Sequence, residues 1–384
     1  MRFEFATATR IIFGQGTVTE LASNAQAMGK RACLVTGSSV GRAKVLTQRL
    51  EEKKVEYVTF SVTGEPTTTI AILGIETARE NRCDFVISIG GGSVLDTGKA
   101  IAAMLTNKGK LENYLEVVGQ GKPLTERAAP HIAIPTTAGT GAEVTKNSVL
   151  SVPEHQVKVS MRSPSMLPSL AIVDPLLTHT MSPYVTATTG LDALTQLIEA
   201  LVSIKSNPMT DSICLEGITA AGRSLQKAYE NSNDASARNN MSLASLFGGL
   251  ALANAGLGAV HGFAGPLGGI ISAPHGAICA ALLPYVIEVN IRALKARNPD
   301  SQSLERYNIV AKILTNNQNA KAEQAVEWIR NLCETMQIPS LKKLGLKKEN
   351  FSAAVEKSRK SSSMKGNPIE LNEEELTEIL EKAF

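Results

Sequence analysis

Charge of one sign is what this chain most conspicuously lacks. It sets 39 lysines and arginines against 36 acidic residues, a formal +3, with no block of like charge. Neither a nucleic-acid partner nor a membrane partner is implied by that balance. Cysteine is sparse: Cys33, Cys83, Cys214, Cys279 and Cys333 are scattered, odd in number and never paired as Cys-x-x-Cys. They read as reduced, mostly packing thiols in a cytoplasmic protein. The opening Met1-Arg2-Phe3-Glu4-Phe5 has no signal-peptide core. Internal repeats and low-complexity tracts are absent as well. One uncharged run, Leu246 to Ala273, is long enough to span a bilayer. It holds eight glycines, Pro266, Asn254 and His261, with no flanking basic cluster. A buried pair of closely packed helices fits that composition better than a membrane span.

The 384 residues present exceed one ordinary core and suggest two domains. Early on, β-rich runs at 31–37, 55–62 and 84–89 alternate with helical spacing at 40–53 and 68–81. That rhythm predicts parallel βαβ units. Further strands are predicted at 131–135, 157–161 and 170–173. After Ser182-Pro183 the strand-like runs fade and long helical patterns follow, at 184–203, 209–229, 235–253, 275–297, 303–314 and 320–336, with an acidic helix at 373–383. Pro183 and Pro208 are each placed to open a helix. The expected division is therefore an α/β domain over 1–182 and an all-helical domain over 183–384.

Two glycine-rich loops fall in the first half. Gly90-Gly91-Gly92-Ser93 follows a predicted strand and opens a helix, so the backbone can approach a ligand while free N–H groups face a phosphate. Asp96 is placed to orient that loop through hydrogen bonds to its amides. The usual Gly-x-Gly-x-x-Gly is missing, as is a Walker lysine-serine pair, and a structural turn fits the bare pattern equally well. Pro135-Thr136-Thr137-Ala138-Gly139-Thr140-Gly141 is more informative, a hydroxyl-lined turn suited to phosphate, ribose or nicotinamide. Two such loops in one α/β domain favour a dinucleotide site.

Histidine is scarce, five in all, yet His261 and His275 stand 14 residues apart in apolar, glycine-rich surroundings. A buried imidazole needs a partner, and a divalent metal shared with Asp192 would supply one. Asp192 sits in an apolar helical run whose amide, Gln196, shares its face.

Taken together, GGGSVLD, IPTTAGTGAE, AIVDP, TGLDAL, GAVHG, APHG and SMKGNP resemble the signatures of the iron-containing (group III) alcohol dehydrogenases, in that family's order. The resemblance implies a dehydroquinate synthase-like architecture, an N-terminal NAD(P)-binding α/β domain and a C-terminal helical metal domain, working as a homodimer on a small alcohol or aldehyde. It implies hydride transfer at nicotinamide C4 and places the nucleotide contacts on Gly91, Gly92, Ser93, Thr136, Thr137, Thr140, Asn147 and Lys158. The implied metal, Fe2+ or Zn2+, falls to Asp192, His261 and His275, the residues carried over as catalytic.

Three positions depart from the family pattern. Gln196 stands where the family has a third histidine, and is expected to be a weak or distant fourth ligand, leaving the metal loosely held. Its alternative role is a spectator amide in a site without metal. Gly265 replaces a histidine usually assigned to proton relay or substrate contact, which should widen the pocket. Gly37 replaces the aspartate that many NAD-preferring members carry at the ribose, and Ser38, Ser39, Arg42 and Lys44 follow it, so NADP is expected to be favoured over NAD. Competing readings are a metal-independent reductase of the maleylacetate reductase type, a dehydroquinate synthase-like lyase, and a silent nucleotide binder.

Overall fold

The computed structural model describes residues 2–38, 40–155 and 157–384, with 40–45 described by backbone alone. The chain forms two compact units. One comprises Ala6–Thr137 and Gly141–His179; the other comprises Thr180–Phe384 together with Ala138–Thr140 and the N-terminal residues through Phe5.

The first unit is α/β. Its elements are β1 (Ile11–Phe13), α1 (Leu21–Gln26), β2 (Arg31–Gly37), α2 (Val40–Glu52), β3 (Glu56–Val62), α3 (Thr68–Glu80), β4 (Phe85–Gly90), α4 (Gly92–Thr106), β5 (His131–Pro135), β6 (Asn147–Val152), β7 (Val157–Arg162) and β8 (Leu170–Val173). Six strands form one parallel sheet in the order β1-β8-β5-β4-β2-β3. Every residue of β4 and β5 is buried, as parallel strands covered on both faces must be. Alternate side chains feed two layers: Cys33, Val35 and Val86 pack with Ala71, Ile75 and Ile101 of α3 and α4. Leu34, Ile87, Ile132 and Ile172 pack with Leu21 and Ala25 of α1 on the other face.

The predicted strands at 131–135 and 170–173 fall on β5 and β8. The run at 157–161 joins a separate antiparallel ribbon, β6 with β7. Its partner β6, which the sequence reading passes over, alternates half-buried and buried residues in the manner of a strand with one covered face.

The second unit is helical: α5 (Pro183–Val202), α6 (Pro208–Glu230), α7 (Ala235–Ala255), α8 (Ala259–Ile270), α9 (His275–Arg297), α10 (Gln302–Thr315), α11 (Ala322–Thr335), α12 (Phe351–Arg359) and α13 (Glu373–Ala383). Ser182 caps α5 by accepting from Val185 N, with Pro183 in the first turn, and Asn207 caps α6 in a reciprocal box with Thr210. Helix α5 is buried almost all round from Thr186 onward and packs against α6, α7, α9 and α10, which makes it the axis of the unit. The uncharged run becomes α7 and α8, bent by 97° at their junction. Among the described residues one helix, α9, is long and apolar enough to cross a membrane, and 83% of its apolar window is buried.

Candidate active site

Helix α5 carries two charged residues, Asp192 and Glu199, two turns apart on one face. Asp192 is 1% exposed. His261 stands in the first turn of α8, and His275 opens α9. Gly276 lets α9 press against α5, since a Cβ there would lie 2.6 Å from Thr188 O. Thr188 lies one turn before Asp192 on α5, so this close approach brings His275 beside Asp192. His261 Nε2 lies 3.2 Å and His275 Nε2 3.9 Å from Asp192 Oδ1, and the two rings are 5.4 Å apart between centroids.

A fourth side chain completes the cluster. Cys279 lies one turn beyond His275 on α9, with Sγ 3.5 Å from His275 Nε2 and 3.9 Å from His261 Nε2. The four donor atoms of Asp192, His261, His275 and Cys279 all lie within 4.8 Å of one another. Cys279 packs in the core of the unit and also faces this cluster, which its scattered position in the sequence does not show. The i,i+4 spacing from His275 is the signal that could have found it.

Glu199 was also missed, although it is the other charge on an apolar helix. Its Oε2 accepts from His261 Nδ1 at 2.7 Å, and its Oε1 accepts from Val260 N at 2.6 Å. The start of α8 has no side-chain cap of its own; Glu199 serves two of its backbone N–H groups, and Asn367 Oδ1 accepts from Ala259 N at 3.1 Å. A carboxylate at the positive end of a helix is favourable, and it fixes the ring of His261 with its proton on Nδ1. Asn367, from the SMKGNP run, is itself held by Asn290.

With Nδ1 held by Glu199, His261 Nε2 faces Asp192 Oδ1 at 3.2 Å, and the carboxylate favours a proton on that nitrogen. A divalent ion would displace the Nε2 proton and be shared by this nitrogen and this oxygen. Burial opposes charge on His261, but Cys279, Asp192 and Glu199 outweigh it and raise its pKa well above the usual value. Burial would raise the Asp192 carboxyl too, yet His261, His275 and Cys279 hold it below its usual value. Burial pushes the Cys279 thiol up to about 12 against the pull of His261. The donor set fits a divalent ion.

Gln196 is 2% exposed, and its Oε1 is buried without a hydrogen-bond partner. That oxygen lies beside α7, 2.9 Å from where a Cβ on Gly248 would sit. At Gly265 a Cβ would meet no atom within 4 Å, so the backbone there leaves room for a side chain to begin.

In the α/β unit, β2, β4 and β5 are neighbours, and their carboxyl ends carry Gly37, Gly91–Ser93 and Thr136–Thr137. From β2 the chain runs to β3 on one side and then crosses to β4 on the other. Such a reversal opens a crevice at the carboxyl edge, where α/β sheets bind ligands. Thr136 N donates to Gly90 O at 2.9 Å, and a Cβ on Gly91 would lie 3.4 Å from the Thr137 side chain. Thr140 falls with the helical unit.

Asp96 does not orient the glycine loop as expected. Its carboxylate pairs with buried Lys99 at 2.8 Å and accepts from Val149 N at 3.2 Å, tying α4 to β6. Lys99 also donates to Thr145 Oγ1 and to the backbone oxygen of Asn147. Lys158 on β7 pairs with Glu65 at 2.8 Å. Ser39 and the side chains of Arg42 and Lys44 lie outside the described residues.

The model of the iron-containing alcohol dehydrogenase family matches residues 8–175, and that of its C-terminal domain matches 186–384. The chain belongs to the iron-containing alcohol dehydrogenase family. It is 36% identical over 379 residues to alcohol dehydrogenase 4 of Saccharomyces cerevisiae, covering 97% of this chain and 96% of that one. The crystal structure of a 1,3-propanediol oxidoreductase superposes with a TM-score of 0.92 at 34% identity, covering 100% of both chains. A sulfoacetaldehyde reductase from Bifidobacterium kashiwanohense, solved in complex with NAD+, gives 0.87 at 29% identity, covering 100% of this chain and 99% of that one.

Proposed function

We propose that the protein interconverts a small alcohol and its aldehyde by hydride transfer at nicotinamide C4, with a divalent metal, Fe2+ or Zn2+, held by Asp192, His261 and His275. The convergence of the donor atoms of Asp192, His261, His275 and Cys279 within 4.8 Å of one another carries this reading. The ion, when bound, polarises the substrate oxygen. Asp192 contributes the negative charge, Glu199 keeps the His261 lone pair turned inward, and Gln196 stands as a weak or distant further donor. The nucleotide is assigned to Gly91, Gly92, Ser93, Thr136, Thr137 and Thr140. Glycine backbone there admits a pyrophosphate, and the N-terminus of α4 supplies N–H groups.

NADP(H) is favoured in this reading because Gly37 offers no carboxylate against a 2′-phosphate. The same reading makes the protein a cytoplasmic homodimer, with a small-molecule substrate as its partner. Metal analysis of the purified protein, alongside an alcohol and aldehyde panel with both cofactors, is the test. Bound metal and turnover lost to chelators are expected; full turnover in metal-free protein would overturn the metal's role.

A further inference from the structure

We propose that Cys279 is a thiolate ligand of this metal, filling the place of the imidazole that Gln196 lacks, and that it turns the site toward zinc rather than iron. This rests on the metal reading above. Four observations support it. Cys279 shares a face of α9 with His275, one turn along, so both donors project to one point. Its sulfur is 3.5 and 3.9 Å from the two imidazole Nε2 atoms, and His261 Nε2 is 3.2 Å from Asp192 Oδ1. Bonds of about 2.0–2.3 Å in a tetrahedral site give donor–donor edges of about 3.3–3.8 Å, close to those spacings. Cys279 is fully buried, so no bulk water competes for the sulfur. Finally, the Gln196 oxygen lies against α7 beside Gly248 and is a neutral, hard donor, the weaker choice for a borderline-soft ion.

The chemistry balances without an oxidant. As the ion enters, the sulfur–metal bond forms and the thiol proton leaves to solvent, so metal uptake releases a proton. With Asp192 alone a divalent ion leaves one net positive charge in the site. With the Cys279 thiolate added the site is neutral, softer and selective for zinc or cobalt over ferrous iron.

The test loads the metal-free full-length chain with cobalt(II) under anaerobic conditions and reads its absorption. The wild type should show the visible bands of four-coordinate cobalt together with an intense near-ultraviolet sulfur-to-cobalt charge-transfer band. Cys279→Ser, nearly isosteric, should keep the visible bands, lose the charge-transfer band and bind zinc roughly 100-fold more weakly in competition with a chromophoric chelator. Cys214→Ser, a buried thiol elsewhere in the unit, should keep both bands. Circular dichroism confirms that each variant is folded. Visible cobalt bands in the wild type without charge transfer, or unchanged zinc affinity in Cys279→Ser, would overturn the thiolate and leave the metal reading standing. No uptake of either ion by the wild type would overturn both.

Discussion

Glu199 lies one ring away from the proposed metal donors and would act on them through His261. Removing its negative charge while keeping its shape, as in Glu199→Gln, should weaken metal binding by roughly 10–100-fold, the usual effect of losing the partner that orients a ligating histidine. Chelator competition reads this directly, and unchanged affinity would mean that packing alone orients the ring. A second residue acts through pH. Burial raises the Glu143 carboxyl to about 7 from 4.5, against the opposing pull of Lys99. A folded-state carboxyl that holds its proton longer than the unfolded one stabilises fully below pH 4.5. That contribution fades as pH rises through 7, about 3 kcal/mol in all. Glu143→Gln has no such slope, so the stability difference between wild type and variant should shift by that amount between pH 4.5 and 8. Denaturant titrations measure it; parallel pH profiles would refute it.

Among the elements, the proposed preference for NADP(H) belongs to the carboxyl edge of the sheet. A Cβ at Gly37 would make an ordinary 3.8 Å contact with Val94, so Gly37→Asp should fold. Placing that carboxylate near a 2′-phosphate should shift preference toward NAD(H) by several-fold to about a hundredfold, roughly 1–3 kcal/mol. The ratio of kcat/KM for the two cofactors measures it, and a wild type that already rejects NADPH would refute the argument. This edge was legible in advance because β4 and β5 are mostly apolar runs closed by glycine and proline. Strand β1 spans only Ile11–Phe13, too short for any periodicity to register. Helix α8 hides its start among glycines, and its N–H partners come from Glu199 and Asn367, distant in sequence. The partners of Asp96 were half visible: Lys99 is three residues along the same helix, whereas Val149 reaches it only through the fold. Cys279 was obscured because only His275 lies near it in sequence, whereas Asp192 and His261 reach it through the fold.

At the scale of the molecule, Asp192, His261, His275 and Cys279 all belong to the helical unit. An ion bound by that folded unit alone stabilises it by mass action, about 2.7 kcal/mol at a hundred times its Kd. Chemical denaturation with and without zinc should show that gain in the wild type and lose most of it in Asp192→Ala. Identical curves in the wild type would rule out specific binding.

The division into units carries one more consequence. The chain leaves the α/β unit after Thr137, returns at Gly141 and leaves again after His179. In the helical unit Gly139 packs so closely on α5 that a Cβ would lie 2.7 Å from Thr189 Cβ. The two halves are therefore not interchangeable cassettes. A gene spliced to a relative's at residue 180 inherits its residue 139 from one parent and its residue 189 from the other. Recombination or shuffling among homologues should succeed only where these two positions travel together, or where both parents keep glycine in the loop.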